Sequence, residues 1–288
     1  MDIHSGRISN FKAIMVRRNI AIAVKYLALV LASITTLFPI VWVVMNAFRD
    51  NTQIYGNPFG WPNPVITGNF PKAFAGIHLV VTLSNSLIYS AVTVAVAVLL
   101  ASMAAFYLSK MAKGNLLFTY FILGIMIPPQ AILIPLFISM RNLHLLNTRP
   151  GIIIVYIVTN LSLAIFILTG FMRKGIPDEL LEAAVLDGCG PVRAFFRVAL
   201  PISVPGIVTV ITLVFLGVWN EFLFALVMLA SPLVKTLNVA VYSLRGQYMS
   251  DQGLLAAGSV ILITPAIVIY ILFQEQVVKG LTAGAVKG

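Results

Sequence analysis

Charge is scarce in this chain of 288 residues. Asp, Glu, Lys and Arg make up 10% of it, where a soluble domain carries about a quarter. Acids are scarcest, 9 against 19 Lys and Arg. So few charges cannot cover a water-facing surface of this size, which excludes an ordinary soluble domain. The single cysteine, Cys189, excludes an intrachain disulfide and reads as a small filler residue. The three histidines, His4, His78 and His144, lie far apart without ligand spacing, so no metal site is expected. No G-x-x-x-x-G-K-[ST] occurs, so the chain carries no phosphate loop of its own and no cofactor is expected in it. No cluster of His, acid and nucleophile points to a membrane enzyme, and no internal repeat is visible.

What is abundant is apolar: 60% of the residues are hydrophobic and the mean hydropathy is +1.00. The charge-poor runs are long enough to cross a bilayer, which takes about 20 residues. An all-α membrane protein with six transmembrane helices follows, with spans at about 26–47, 84–107, 116–139, 151–172, 206–230 and 254–273. Residues 1–25 form a polar, basic N-terminal segment and 277–288 a C-terminal tail. The first apolar run is too long for a signal-peptide core and lacks a small-residue cleavage site, so it reads as a retained span. Residues 49–80 are rich in Pro and Gly and read as an ordered, turn-rich loop. Pro128, Pro129 and Pro135 fall inside the third run, where freed backbone carbonyls need neighbouring helices or a water-lined cavity.

Six spans put both ends on one side. Six of the 19 basic residues (Arg49, Lys72, Arg141, Arg149, Lys235 and Arg245) fall in loops opposite the termini, and the other 13 fall on the terminal side. The positive-inside rule places both termini in the cytoplasm. Basic residues spread over short loops in this way orient a membrane protein and do not suit a nucleic-acid partner.

One long segment between the spans, 173–205, is not itself membrane-like. Its part 177–201 holds Asp178, Glu179, Glu182, Asp187, Arg193 and Arg197. Pro177 suits a helix start, with Asp178 and Glu179 at the positive end of the helix dipole. The helix is expected to run to about Asp187 and stop at Gly188, in the left-handed conformation. Gly190 and Pro191 open a second short helix. Ala183 and Ala184 leave room for another backbone to come close. A helix this short must lie on something, either the bilayer surface or another protein.

Glu221 is the one acid deep in an expected span. A charge at mid-bilayer costs roughly 2.5–3.5 kcal/mol, so it should face a partner or a water-filled path. Asn220 and Glu221 either line such a path or sit in a network between helices. Asn160, Gln130 and Asn85 allow the same two readings, since polar residues commonly glue membrane helices. The loop between the fifth and sixth spans carries Arg245, Gln247, Tyr248, Asp251 and Gln252, suited to a polar protein surface, to a sugar or to a plain connector.

Glu182-Ala183-Ala184, Asp187-Gly188 and Leu200-Pro201 resemble the EAA loop of ABC importer permeases. Asn46-Ala47-Phe48-Arg49, Asn85-Ser86-Leu87, Ile127-Pro128-Pro129, Trp219-Asn220-Glu221 and the closing residues 280–288 extend the likeness over nearly the whole chain. It is similar to the second permease of maltose-type carbohydrate importers. That resemblance implies a type I ABC importer permease fold in a bacterial cytoplasmic membrane, with 173–205 as the coupling loop. It implies a non-catalytic subunit for carbohydrate uptake, with Glu182, Ala183, Ala184, Asp187, Gly188 and Pro191 facing an ATPase. It also implies two ATPase subunits holding ATP and Mg, a second permease chain and an extracytoplasmic sugar-binding protein that meets the last outer loop. The alternatives are an importer of a non-sugar solute and a stand-alone secondary transporter. The latter would show charges in several spans or inverted repeats.

The charge split predicts that an impermeant thiol reagent added outside labels a cysteine placed at position 60 and not one at position 185. The reverse pattern would sink the orientation.

Overall fold

The computed structural model describes residues 3–111, 116–245 and 251–285. Every regular element among them is helical. Helix α1 (Ile3–Asn46) runs unbroken through the basic segment and the first span. No Gly or Pro lies near Lys25 to stop it, so the expected boundary there is not a break. Short helices α2 (Asn51–Gly56) and α3 (Asn69–Gly76) order the turn-rich loop. Helix α4 (Leu79–Phe106) follows and winds on into a π-helical turn, Tyr107–Met111.

The third span departs from expectation. Instead of one helix over 116–139 there are two, α5 (Leu116–Met126) and α6 (Pro129–Asn142), meeting at 95°. Pro128 and Pro129 explain the break. Neither has an N–H to continue the ladder, and the residue before a proline is driven out of the α region. Pro135 stays inside α6.

Helix α7 (Arg149–Gly175) starts at Thr148, whose hydroxyl accepts from the Gly151 amide. Then come α8 (Asp178–Leu186), α9 (Pro191–Ala194), a second π-helical turn over Phe195–Ala199, and α10 (Leu200–Ile202). Helix α11 (Val204–Trp219) leaves this segment at 79°. Its 16 residues span about 24 Å, less than the ~30 Å hydrocarbon core. The expected fifth span, 206–230, is therefore interrupted, and α12 (Leu223–Met228) continues after a break at 220–222. Helix α13 (Leu237–Tyr242) precedes α14 (Gln252–Ala285), which runs past the expected end at 273. Among the described residues, four stretches are long and apolar enough to cross a membrane alone, and the two bent pairs bring the count to six.

The core lies between α4 and α7. Thr93, Ala97, Ala101 and Ala105 make one face of α4 at a spacing of four, all fully buried. Such small side chains let two backbones approach closely. Ile152, Val155, Tyr156, Ile165, Leu168 and Met172 of α7 pack into the same cluster. Val210, Val214 and Val218 of α11 complete it.

Helix α1 is different. No residue in its most apolar window is buried. It meets the rest of the chain, α14 above all, at the end near Asn46. There Arg49 is 1% exposed. Its guanidinium donates to Asn46 Oδ1 at 3.0 Å and to the carbonyls of Pro58, Gln53 and Asn57. Asn69 Nδ2 donates to the Ala47 and Arg49 carbonyls at 3.0 and 2.9 Å. Gly253 of α14 lies so close that a Cβ there would overlap the Arg49 carbonyl and the Asn69 amide.

Gly253→Ala should therefore destabilise the junction by about 1–3 kcal/mol, the usual cost of overpacking. Thermal unfolding in detergent should show a lowered Tm. Gly56→Ala, with nothing within 4 Å of the added carbon, should leave it unchanged.

Candidate functional site

Helix α8 stands at the chain surface. Its N-cap is Pro177, with Asp178 and Glu179 in the first turn, as expected from the dipole. Its end is a Schellman motif. Gly188 has φ +76°, its N–H donates to the Val185 carbonyl at 2.9 Å, and the Cys189 N–H donates to the Ala184 carbonyl at 2.9 Å. Asp187 is the C-cap, one residue beyond the last helical position. Gly190 then caps α9, with Pro191 in its first turn.

The helix has two faces. Leu181 packs against the main core and Ala184 is 7% exposed, so both look inward. Glu182, Ala183, Asp187 and Gly188 are exposed. So are Val185 at 66% and Leu186 at 89%. Val185 and Leu186, with the half-exposed Leu180, lie open beside the four carboxylates Asp178, Glu179, Glu182 and Asp187 and make a surface fit for a partner. The sequence motif points to Glu182 and the alanines, and it misses Val185 and Leu186 as the outward apolar pair. Leu186 lies well round the helix from Leu181, whereas Val185, four residues after Leu181 and expected on its face, is nevertheless exposed.

The second candidate place is the break between α11 and α12. Glu221 lies in that break, not within a helix. Its carboxylate accepts from the Phe224 N–H at 2.7 Å, the Ala225 N–H at 3.1 Å and the Tyr156 hydroxyl at 2.8 Å. It thus satisfies the first free amides of α12 and ties them to α7. Asn238, which the sequence did not single out, closes the other side of the break. Its Nδ2 donates to the Trp219 and Glu221 carbonyls at 2.7 and 3.1 Å. Asn220 is exposed, with its amide on the Leu216 carbonyl at 2.9 Å. Asn160 is half-buried on α7, donating to the Tyr156 carbonyl at 2.8 Å, and its Oδ1 faces Gly217 of α11. Gln130 is exposed in the first turn of α6. Asn85 is 1% exposed and lies apart from these, spending its amide on the Leu233 and Lys235 carbonyls at 3.0 and 3.1 Å.

The third place is the loop around α13. Arg245 is exposed and its guanidinium lies 5.7 Å from the Tyr242 ring centroid. Lys235 Nζ donates to Ser243 Oγ at 3.1 Å. These side chains and Leu229 border an open cavity of about 450 Å³, a volume within the small-molecule range. Asp251 Oδ1 accepts from the Leu254 N–H at 3.0 Å, and the Gln252 N–H donates to Asn51 Oδ1 at 2.8 Å. Both thus fix the start of α14. Gln247 and Tyr248 lie outside the described residues.

The Glu221 carboxylate serves three donors, and Gln would offer one accepting oxygen for them. Glu221→Gln should therefore lower stability by about 1.5–3 kcal/mol, the range for a hydrogen bond to a charged group. Tyr156→Phe, which removes one donor, should cost less. Thermal unfolding of both variants checks the order.

Comparison with known proteins agrees with this architecture. Residues 97–282 match the family model described as the binding-protein-dependent transport system inner membrane component. The chain is 32% identical over 270 residues to the sulfoquinovosyl glycerol transport system permease of Agrobacterium fabrum, covering 92% of this chain and 93% of that one. It is 35% identical over 256 residues to the trehalose transport system permease of Mycobacterium tuberculosis, covering 88% and 93%. A chain from a bacterial ABC transporter involved in the import of the acidic polysaccharide alginate shares the fold, with TM-score 0.75 and 22% identity over 89% of this chain and 96% of that one. With a membrane-crossing helical bundle and a family match over more than half its length, the chain belongs to the binding-protein-dependent transport system inner membrane components, the non-catalytic permease subunits of ABC importers.

Proposed function

We propose that this permease translocates a carbohydrate, and that α8 is the helix through which a separate ATPase subunit drives it. The observation that carries the coupling role is the outward surface of α8. Val185 and Leu186 lie open beside Glu182 and Asp187 on a rigid helix whose inward face is held by Leu181 and Ala184. A cytoplasmic ATPase cleft would bury that apolar pair and leave the acids at its rim. ATP and Mg would bind on the ATPase. Two such subunits would serve this chain and a second permease. The uncovered flank of α1 supports a partner of that kind, or lipid, along its length. Both termini, with α8, would then face the cytoplasm, as the distribution of Lys and Arg favours.

The carbohydrate assignment rests on the relatives. Those named for trehalose, diacetylchitobiose and sulfoquinovosyl glycerol transport all align over most of this chain. The path would run past Asn220, Gln130 and Asn160, with Glu221 holding the break in α11 and α12 open at that level. The loop with Arg245, Gln247, Tyr248, Asp251 and Gln252 would meet the binding protein. The mechanism is alternating access: ATP binding favours one arrangement of the two permeases over the other, and α8 transmits that bias. An importer of another solute is the rival reading, and uptake measured over a panel of sugars separates the two.

Gly188→Val forces a side chain into a left-handed conformation, at about 1–2 kcal/mol. Nothing lies within 4 Å of the added Cβ, so the cost is conformational and falls on the angle between α8 and α9. The variant should insert normally but lose ATPase copurification or the hydrolysis stimulated by loaded binding protein. Ala183→Trp should block docking by bulk. Normal assembly and normal coupled hydrolysis in both would overturn the docking role of α8.

A further inference from the structure

Helix α8 is joined to the bundle by a narrow connection. Between the end of α7 at Gly175 and the start of α8 at Asp178 lie only Ile176 and Pro177, both with extended backbone. Extended residues between two helices make a joint, because no helical hydrogen bond crosses them. The Ile176 N–H still reaches back to Met172, at 3.3 Å. Beyond the packing of Leu181 and Ala184, little in this joint itself keeps the start of α8 from turning relative to α7.

The Lys110 side chain bridges it. Lys110 sits in the π-helical turn that ends α4, 66 residues before Ile176. Its Nζ donates to the Ile176 carbonyl at 2.6 Å and to Asp178 Oδ1 at 2.6 Å. One bond holds the joint and the other holds the first residue of α8. The Lys110 side chain is 6% exposed and that of Asp178 is 76% exposed. The ammonium is thus screened by protein, and the partner remains reachable from solvent. Lysine is a suitable group here: its three N–H donors spread from one point and can serve two acceptors on different sides. The surroundings stiffen the same corner. The Phe106 ring lies 5.6 Å from that of Phe195, at the start of the second π-helical turn. Arg173, in the last turn of α7, lies 4.5 Å from the Phe118 ring centroid.

The far end of α4 is held as firmly. Tyr89 donates to the Val234 carbonyl at 2.9 Å, Asn85 to those of Leu233 and Lys235, and the Leu237 N–H donates to Ser86 Oγ at 2.9 Å. From Tyr89 to Lys110 the helix covers about 31 Å without a break. A displacement of α8 that reaches α4 therefore also reaches the loop before α13.

We propose that Lys110 is a positioning residue for transport: it clamps the Ile176 and Pro177 joint, so that α8 moves as one body with α4 and α7. This rests on the reading of α8 as the ATPase-coupling helix. The motif that names the coupling segment does not include Lys110, which lies in a different part of the chain.

The test uses the assembled transporter with Lys110→Gln, Lys110→Arg and Asp178→Asn. Hydrogen exchange of the amides of residues 178–186, measured on the complex without ATP, reads the clamp directly. In Lys110→Gln it should rise roughly tenfold, the factor expected when a charge-assisted bond is lost. ATPase copurification should be unchanged, because the outward face of α8 is untouched. Sugar taken up per ATP hydrolysed should fall severalfold. Lys110→Arg should restore most of both readings, and Asp178→Asn, which keeps the bond to Ile176, should lie between. Should Lys110→Gln fail to assemble, the exposed Asp178→Asn carries the same comparison. Unchanged exchange overturns the clamp. Raised exchange with unchanged uptake per ATP overturns its role in transport. The exchange reading does not depend on what docks on α8, so its failure is distinct from failure of the docking role, which the Gly188→Val assembly test reports.

Discussion

Wherever a helix stops near a hydrocarbon phase, its last carbonyls and first amides need partners, because no water is there to supply them. This requirement organises the layer opposite the termini. Arg49 spends its charge on backbone carbonyls of the loop that follows α1. Asn69, Asn85, Tyr89 and Asn238 each donate to carbonyls in breaks or loops distant in sequence. Asn147 accepts from the Ala230 and Ser231 amides. Irregular backbone here is stable because polar side chains reach across to it, and each such reach fixes one segment against another.

The same requirement decides the meaning of the lone acid in the membrane region. A carboxylate there is expensive unless its oxygens are occupied. Three donors occupy those of Glu221. The carboxylate becomes the substitute for the turn of helix that the break at 220–222 removes. Function and structure are then not alternatives at this position, since the break that Glu221 stabilises is also what gives the fifth span an irregular stretch.

Several features were legible in the sequence because their causes are local. The apolar runs give the spans, Pro177 and the acids after it give the start of α8, and Gly188 gives its end. Gly190 and Pro191 give the next start for the same reason. Other features depended on partners the sequence does not place side by side. The prolines of the third run announce a disturbance but not its 95° angle, with which both α5 and α6 lie against α7. Lys110 reads as one more basic residue closing a span until Ile176 and Asp178 are seen against it, 66 and 68 positions away. Asn238 and Tyr156 likewise gain their roles only through the fold. The segments where regular helix was expected and breaks were found, at 127–128 and 220–222, lie where proline or a capping acid competes with the helix ladder.

The junction of Arg49, Asn69 and Gly253 has a consequence for biogenesis. Helix α1 is made before α3 and α14, yet its seat is built from α3 and from the beginning of α14. The Gln252 N–H that meets Asn51 comes 201 residues later. Until α14 is made, the first span lacks the part of its seat that Gly253 and Gln252 supply. Its largely apolar surface, on which Ser33, Thr35 and Thr36 bond back to their own helix, keeps it in lipid during that wait. A truncation before residue 252 would leave α1 without the contacts of α14, so this junction is completed by a part of the chain made some 201 residues later.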